Sequence, residues 1–177
     1  MAEEMKIILL DVSSIDGKIT KGQGNDISEW SSVEDFEHFS KVREENNLLV
    51  MGSGTFEAVH PQPEKERLRI VLTSRPKKYE KFFVSGQIEF TNKSPKMLVN
   101  QLEKQGYKQM LLVGGGRVAT AFLRENLVDE LWITIEPKIF GIGEPLVTSE
   151  KMDIDLQLFE LKKLNERGTL LLKYKIL

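Results

Sequence analysis

Cysteine is absent from the 177-residue chain, and histidine occurs only twice. The first absence excludes disulfides, thiolate nucleophiles and cysteine-ligated zinc. The second leaves His38 and His60, too few for a histidine-built metal centre, so no metal site is expected. An excess of charge of one sign is lacking too: 25 basic residues face 27 acidic ones, for a net charge of -2. Such a balance provides no global field to attract nucleic acid or an anionic membrane, and neither is expected as a partner. No apolar run approaches the roughly 20 residues of a membrane span. The acidic start, Met1-Ala-Glu-Glu-Met5, is unlike a signal peptide. The cytoplasm is therefore the expected compartment. What is present is ordinary for a globular chain: 40% apolar residues and 13 glycines, enough for one core in a single domain over residues 1–177.

Short apolar runs alternate with helix-like segments. Lys6-Ile-Ile-Leu-Leu-Asp-Val12 reads as a buried first strand, and 13–24 as a glycine-containing loop. A helix is expected from Ser31, with Ser31-x-x-Glu34 as a capping box, to about Asn46. Further strands are expected at 48–51, 69–73, 110–113 and 130–136, and further helices at 94–106 and 117–126. Two alternating runs, 156–164 and 169–176, flank Asn165-Glu-Arg-Gly168, which has hairpin-turn chemistry. The expected fold is α/β: a mostly parallel sheet flanked by helices and closed by a C-terminal antiparallel hairpin.

Three places carry chemistry. Val113-Gly-Gly-Gly-Arg-Val118 joins a strand to a helix, where glycine N–H groups and the helix start suit a pyrophosphate; a tight turn needing positive φ is the bland alternative. The letters also fit a Rossmann fingerprint, but they come late in the chain and the first strand lacks it. Thr73-Ser-Arg75 follows a strand and suits a phosphate monoester, or else is a solvated turn. Asp35 shares one helix face with Phe39 and Val42, with Phe36 beside them. A carboxylate on an apolar stripe is costly unless something pairs with it, so it is a candidate anchor for a cationic or amidine-like group.

With these residues in view, the chain resembles the dihydrofolate-reductase superfamily over nearly its whole length. Trp30-Ser-Ser-Val-Glu-Asp35-Phe-Glu-His-Phe39, Met51-Gly-Ser-Gly-Thr55, Leu72-Thr-Ser-Arg75, Val113–Val118 and Leu131-Trp-Ile-Thr134 are similar to dihydrofolate reductase itself. Ser14-Ile-Asp-Gly-Lys-Ile19, Leu127-Val-Asp-Glu-Leu131 and Pro137-Lys-Ile-Phe-Gly141 resemble the pyrimidine reductase of riboflavin synthesis, the RibD C-terminal type. That branch's glutamate before the glycine pair is Val113 here, and its ribose-phosphate segment has no counterpart around 57–68.

The resemblance implies hydride transfer from NADPH to an imine carbon. It implies Asp35 as the group that binds the substrate ring and favours its protonation, with Thr134 orienting it. Trp30, Phe39 and Leu10 would line the substrate slot. Val12 and Ile19 would flank the nicotinamide, with the 13–18 loop as a lid. Gly52, Thr55, Gly114, Gly115, Gly116, Arg117 and Val118 would hold the cofactor's body, and Thr73, Ser74 and Arg75 its 2′-phosphate. The expected partner is a small molecule, pterin or pyrimidine. The tilt of the chemical positions favours 7,8-dihydrofolate, with the riboflavin-pathway pyrimidine phosphate as the alternative. For that alternative the nearest basic residues are Arg43, Lys65 and Arg67. A nucleotide-binding module without catalysis is the competing class. A homodimer formed on a sheet edge is also compatible with the pattern.

Overall fold

The strand-length runs are apolar on both faces, and this decides the sheet: a strand buried on both sides belongs in a parallel array covered by helices. The computed structural model describes residues 4–24 and 26–177. Its elements are β1 (Lys6–Ser14), α1 (Val33–Glu44), β2 (Leu48–Gly52), α2 (Ser53–Val59), β3 (Leu68–Leu72), β4 (Ile88–Thr91), α3 (Pro95–Lys104), β5 (Gln109–Leu112), α4 (Gly116–Arg124), β6 (Glu130–Glu136), β7 (Leu156–Lys163) and β8 (Leu170–Ile176). The eight strands lie in the order β4-β3-β2-β5-β1-β6-β8-β7. β4 through β6 in that order run parallel, and the β8–β7 hairpin is antiparallel. The expected α/β class, with a mostly parallel sheet and a closing hairpin, is the observed one.

Pleating divides the core. Ile7, Leu9 and Val50 pack with Leu98 and Leu102 of α3 and Phe122 of α4. Ile8, Leu10 and Met51 pack on the other face with Val42 of α1 and Phe56 of α2. Six parallel strands therefore end on one edge, and the predicted site segments lie on the strand ends, loops and helix starts at that edge.

β4 was not expected. Four residues are too few to show a period; the strand pairs with β3 and packs on a 3-10 run, Pro76–Phe82. Aromatic packing sets it in place: Phe90 stacks on Tyr79 at 5.1 Å and takes the edge of Phe56 at 5.0 Å. The capping box is also corrected. The N-cap of α1 is Ser32, whose side chain accepts from the Asp35 N–H. The Ser32 N–H is taken by Glu136 from β6 at 2.7 Å, and Glu34 accepts from Asn165. A partner over a hundred residues away thus does the work assigned locally to Glu34. Phe36, expected beside the apolar stripe, is 66% exposed.

Candidate active site

The strands diverge where the chemistry gathers. β1 pairs with β5 only as far as Leu9 opposite Leu112, yet continues beside β6 to Ser14 opposite Glu136. Beyond Leu9 the sheet opens between β1 and the turn after β5. Ligands of open α/β sheets bind outside the carboxyl ends of the strands, at such a point.

On the α1 face lies Asp35. It is 6% exposed, and its Oδ2 accepts from the Ser31 hydroxyl at 2.6 Å. Burial pushes its carboxyl above the ordinary range; hydrogen bonds from the Ser31 and Thr134 hydroxyls oppose this, and nearby Glu136 adds to it. Thr134 stands opposite Val12 in the β1–β6 register, two positions along from the Leu10–Trp132 pair. Because period-two strands place these on one face, Leu10, Val12 and Thr134 form the strand side of the slot and α1 the other. Glu136 is held by Ser32 and by Thr169, which donates at 2.8 Å. Trp30 is buried with its ring edge-on to Phe140 at 5.0 Å; its Nε1 has no partner among the described residues. Phe39 is half-buried against Leu10 and Met51's cluster. Ile19 is buried in the loop after β1.

On the α4 face lies the glycine turn. Gly114 and Gly115 have φ of +84° and +83°, which L side chains rarely adopt. A Cβ on Gly116 would run into the Pro145 carbonyl. Conformation and close packing thus account for all three glycines, as the tight-turn reading anticipated. The turn is also shaped as a cradle. Gly115 caps α4 with no side-chain hydrogen bond, leaving its first N–H groups to other partners. A Cβ on Gly114 would meet the Thr55 hydroxyl at 3.2 Å, and one on Gly52 would meet Val118 at 3.1 Å. Gly52, Thr55, Gly114, Gly115 and Val118 therefore form one patch, with Arg117 exposed beside it. Thr73, Ser74 and Arg75 lie two strands away, past the end of β3. The Thr73 hydroxyl accepts from the Arg75 N–H at 3.2 Å, and Ser74 and Arg75 are exposed.

The lid expectation fails. The 13–18 loop is not a free lid. The Asp16 carboxylate accepts from the Phe140 and Gly141 N–H groups at 3.0 and 2.7 Å and from Ser14. Ile15 bonds to Lys138, Ile19 to Glu144, Gly22 to Ile142 and Leu146 to Gly17. The two segments that resembled the riboflavin-pathway enzyme, 14–19 and 137–141, are thus one interlocked flap. Nor are the basic residues near 57–68 available to a ligand at this edge. Arg67 is buried at the start of β3, the opposite end of the sheet. There it donates to the Asn46 and Arg43 carbonyls and pairs with Glu64. Arg69 also pairs with Glu64 and donates to Gln62.

Sequence reasoning missed Asp11. It lies on β1 just past the last β5 pairing, in the row of Ile7 and Leu9, so it faces the glycine turn and not Asp35. Its Oδ1 accepts from the Val12 N–H at 2.9 Å, and its buried Oδ2 has no partner among the described residues. Burial raises its carboxyl to about 7, the Val12 hydrogen bond lowers it, and the charge of Asp35 raises it further. An acid in an otherwise apolar strand was the available signal.

Comparison with known proteins follows this geometry. A Bacillus subtilis protein named "Uncharacterized protein YwjB" is 25% identical over 152 residues, covering 81% of this chain and 83% of its own. The riboflavin biosynthesis protein RibD of Chlamydia muridarum is 25% identical over 191 residues; the match takes in 84% of this chain and 51% of that protein. A solved structure from Thermotoga maritima is a diaminohydroxyphosphoribosylaminopyrimidine deaminase/5-amino-6-(5-phosphoribosylamino)uracil reductase. It superposes with a TM-score of 0.78 at 17% identity, over 97% of this chain and 56% of that one, and so shows a shared fold. The model of the RibD C-terminal domain matches residues 5–170. This chain belongs to the RibD C-terminal domain family, on the oxidoreductase side of the dihydrofolate-reductase-like superfamily.

Proposed function

We infer that the protein is an NADPH-dependent reductase of a ribosylaminopyrimidine, the chemistry named for its riboflavin-pathway relatives. The family moves the reading away from dihydrofolate. The observation that carries it is the pairing, at one sheet edge, of an uncapped glycine cradle with a buried, hydrogen-bonded acid on the opposite face.

The residues fit a dinucleotide phosphate. Gly114, Gly115 and Thr55 would receive the pyrophosphate, and the α4 start favours its charge. Ser74 and the exposed Arg75 guanidinium would hold the 2′-phosphate. Bound NADPH supplies a hydride for an imine carbon. Asp35 accepts from amino or ring N–H groups of the pyrimidine, fixed by Ser31 and Thr134. Its charge favours a proton on the imine nitrogen, which makes the carbon a better acceptor. Leu10, Val12, Trp30 and Phe39 exclude water from the slot.

The experiment is NADPH oxidation, followed at the nicotinamide absorbance. The substrates are 5-amino-6-(5-phosphoribosylamino)uracil, its dephosphorylated form and dihydrofolate. Turnover of a pyrimidine and none of dihydrofolate is expected. Turnover of dihydrofolate alone overturns the reading, and binding without turnover of any leaves a nucleotide-binding module. The dephosphorylated form is included because Arg43, Lys65 and Arg67 lie at the wrong end of the sheet to hold a phosphate.

A further inference from the structure

Asp11 has no role in the reading above. Its neighbours describe a place that disfavours negative charge. Across the β1–β6 register stands Ile133. From α2 comes Thr55 and from the β5–α4 turn Gly114; a Cβ on Gly114 would lie 3.2 Å from the Thr55 hydroxyl and 4.0 Å from Asp11 Oδ2. The charged group acting on it is Asp35 of α1, which is also an acid. Oδ2 is therefore buried, without a partner among the described residues, and directed at the patch where the cradle lies.

We propose that Asp11 is a proton gate on cofactor binding: its carboxyl must be protonated when a pyrophosphate rests on the Gly114–Gly115 turn, so binding takes up a proton. The proposal rests on the cofactor reading above and deepens it. A pyrophosphate brings further negative charge up to a carboxylate that the exposed Arg117 does not contact, and like charges at short range do not both persist. The protonated carboxyl removes one of them and provides an O–H that can donate to a phosphate or carboxamide oxygen. An ionised Asp11 has neither property. Because its titration lies near neutrality in the free protein, cofactor affinity should fall as pH rises through that range.

The test is direct titration of NADPH into wild type and Asp11→Asn, at about pH 6, 7 and 8. The 2′-phosphate itself titrates near pH 6, so the readout is the difference between the two proteins. From about pH 6 to pH 8 the wild-type Kd should rise roughly tenfold relative to the variant. The two should agree at the acid end, with the variant binding roughly tenfold tighter at the alkaline end.

Calorimetry of wild type near pH 7.5, in two buffers of different ionisation enthalpy, should show uptake of more than about half a proton. That measurement decides the matter alone if the variant does not fold. Parallel pH profiles, or binding without proton uptake, overturn the gate and leave the cofactor reading standing. Failure of wild type to bind NADPH at any pH removes both.

Discussion

Asp35 and Asp11 lie at the same edge of one sheet, on its opposite faces, and burial raises both carboxyls. Their hydrogen-bond partners differ. Asp35 is met by donors, the Ser31 hydroxyl at 2.6 Å and the Thr134 hydroxyl from β6. Asp11 Oδ1 has a backbone N–H, while Oδ2 has no partner among the described residues. Donors favour the ionised form and desolvation the neutral one. The hydroxyls aimed at Asp35 thus oppose the effect of burial there, while at Asp11 a single backbone N–H does so. Environments that push paired groups apart in this way commonly assign acid and base roles.

The largest expected effect tests the Asp11 half of that comparison without any ligand. A carboxyl raised in the folded state stabilises the fold fully below its unfolded value, 3.8, and that contribution is lost as pH rises to about 7. Asp11→Asn cannot ionise. Relative to wild type it should gain stability across that window, by at most about 4 kcal/mol at alkaline pH, the full linkage for a shift of this size. Partial exposure of the residue reduces the figure. Denaturant unfolding of both proteins at several pH values measures it. A constant difference at every pH would show that Asp11 titrates normally.

Next comes Asp35→Asn. The amide keeps the size and loses the charge, so turnover of the reducible substrate should fall about a hundredfold at neutral pH, the range of a lost acid–base contribution. The melting temperature should move little. The deficit should shrink at lower pH, where the substrate takes a proton unaided. Wild-type turnover in the variant would reduce Asp35 to a helix residue and erase the contrast with Asp11. Arg75→Ala probes the cofactor side. Loss of a charge-assisted phosphate contact is worth about 1.5–3 kcal/mol, so KM for NADPH should rise roughly ten- to a hundredfold while that for NADH stays put. Equal use of both cofactors by wild type would detach Ser74 and Arg75 from any phosphate.

What could be read from the residues followed range in sequence. The parallel strands, the closing hairpin and the Ser94 cap of α3 were legible because each is set by local pattern. Asp35 was legible because a charged residue breaks an apolar helix face. The Glu136–Ser32 bond and the lock between 14–24 and 137–146 were not, since they join residues about a hundred positions apart. β4 depends on the Tyr79–Phe90 stack, and a four-residue strand carries no period to detect. Arg67, one of the basic residues nearest the place of a ribose phosphate, is instead taken up by carbonyls of α1 and the loop after it. Asp11 sat in plain view in the first strand. Which face it occupied depended on a pleat register that only the β1–β6 pairing fixes.

The smallest effect separates the donors from the carboxyl they serve. Thr134 is 1% exposed and faces Asp35 from β6. Thr134→Val keeps the shape and removes the hydroxyl. The hydrogen bond lowers the Asp35 carboxyl against the upward push of burial, so its loss should raise that carboxyl further. If ionised Asp35 supports turnover, the acid limb of the kcat profile moves to higher pH. Activity near neutrality should then drop a few-fold, about 1 kcal/mol for one hydrogen bond, and recover in alkali. A packing defect gives a different result, a loss of equal size at every pH with a lowered melting temperature. Ser31→Ala removes the other donor from a more exposed position and should shift the limb in the same direction. If neither variant moves it, Asp35 is not held in its charged form by these hydroxyls, and the distinction between the two acids rests on burial alone.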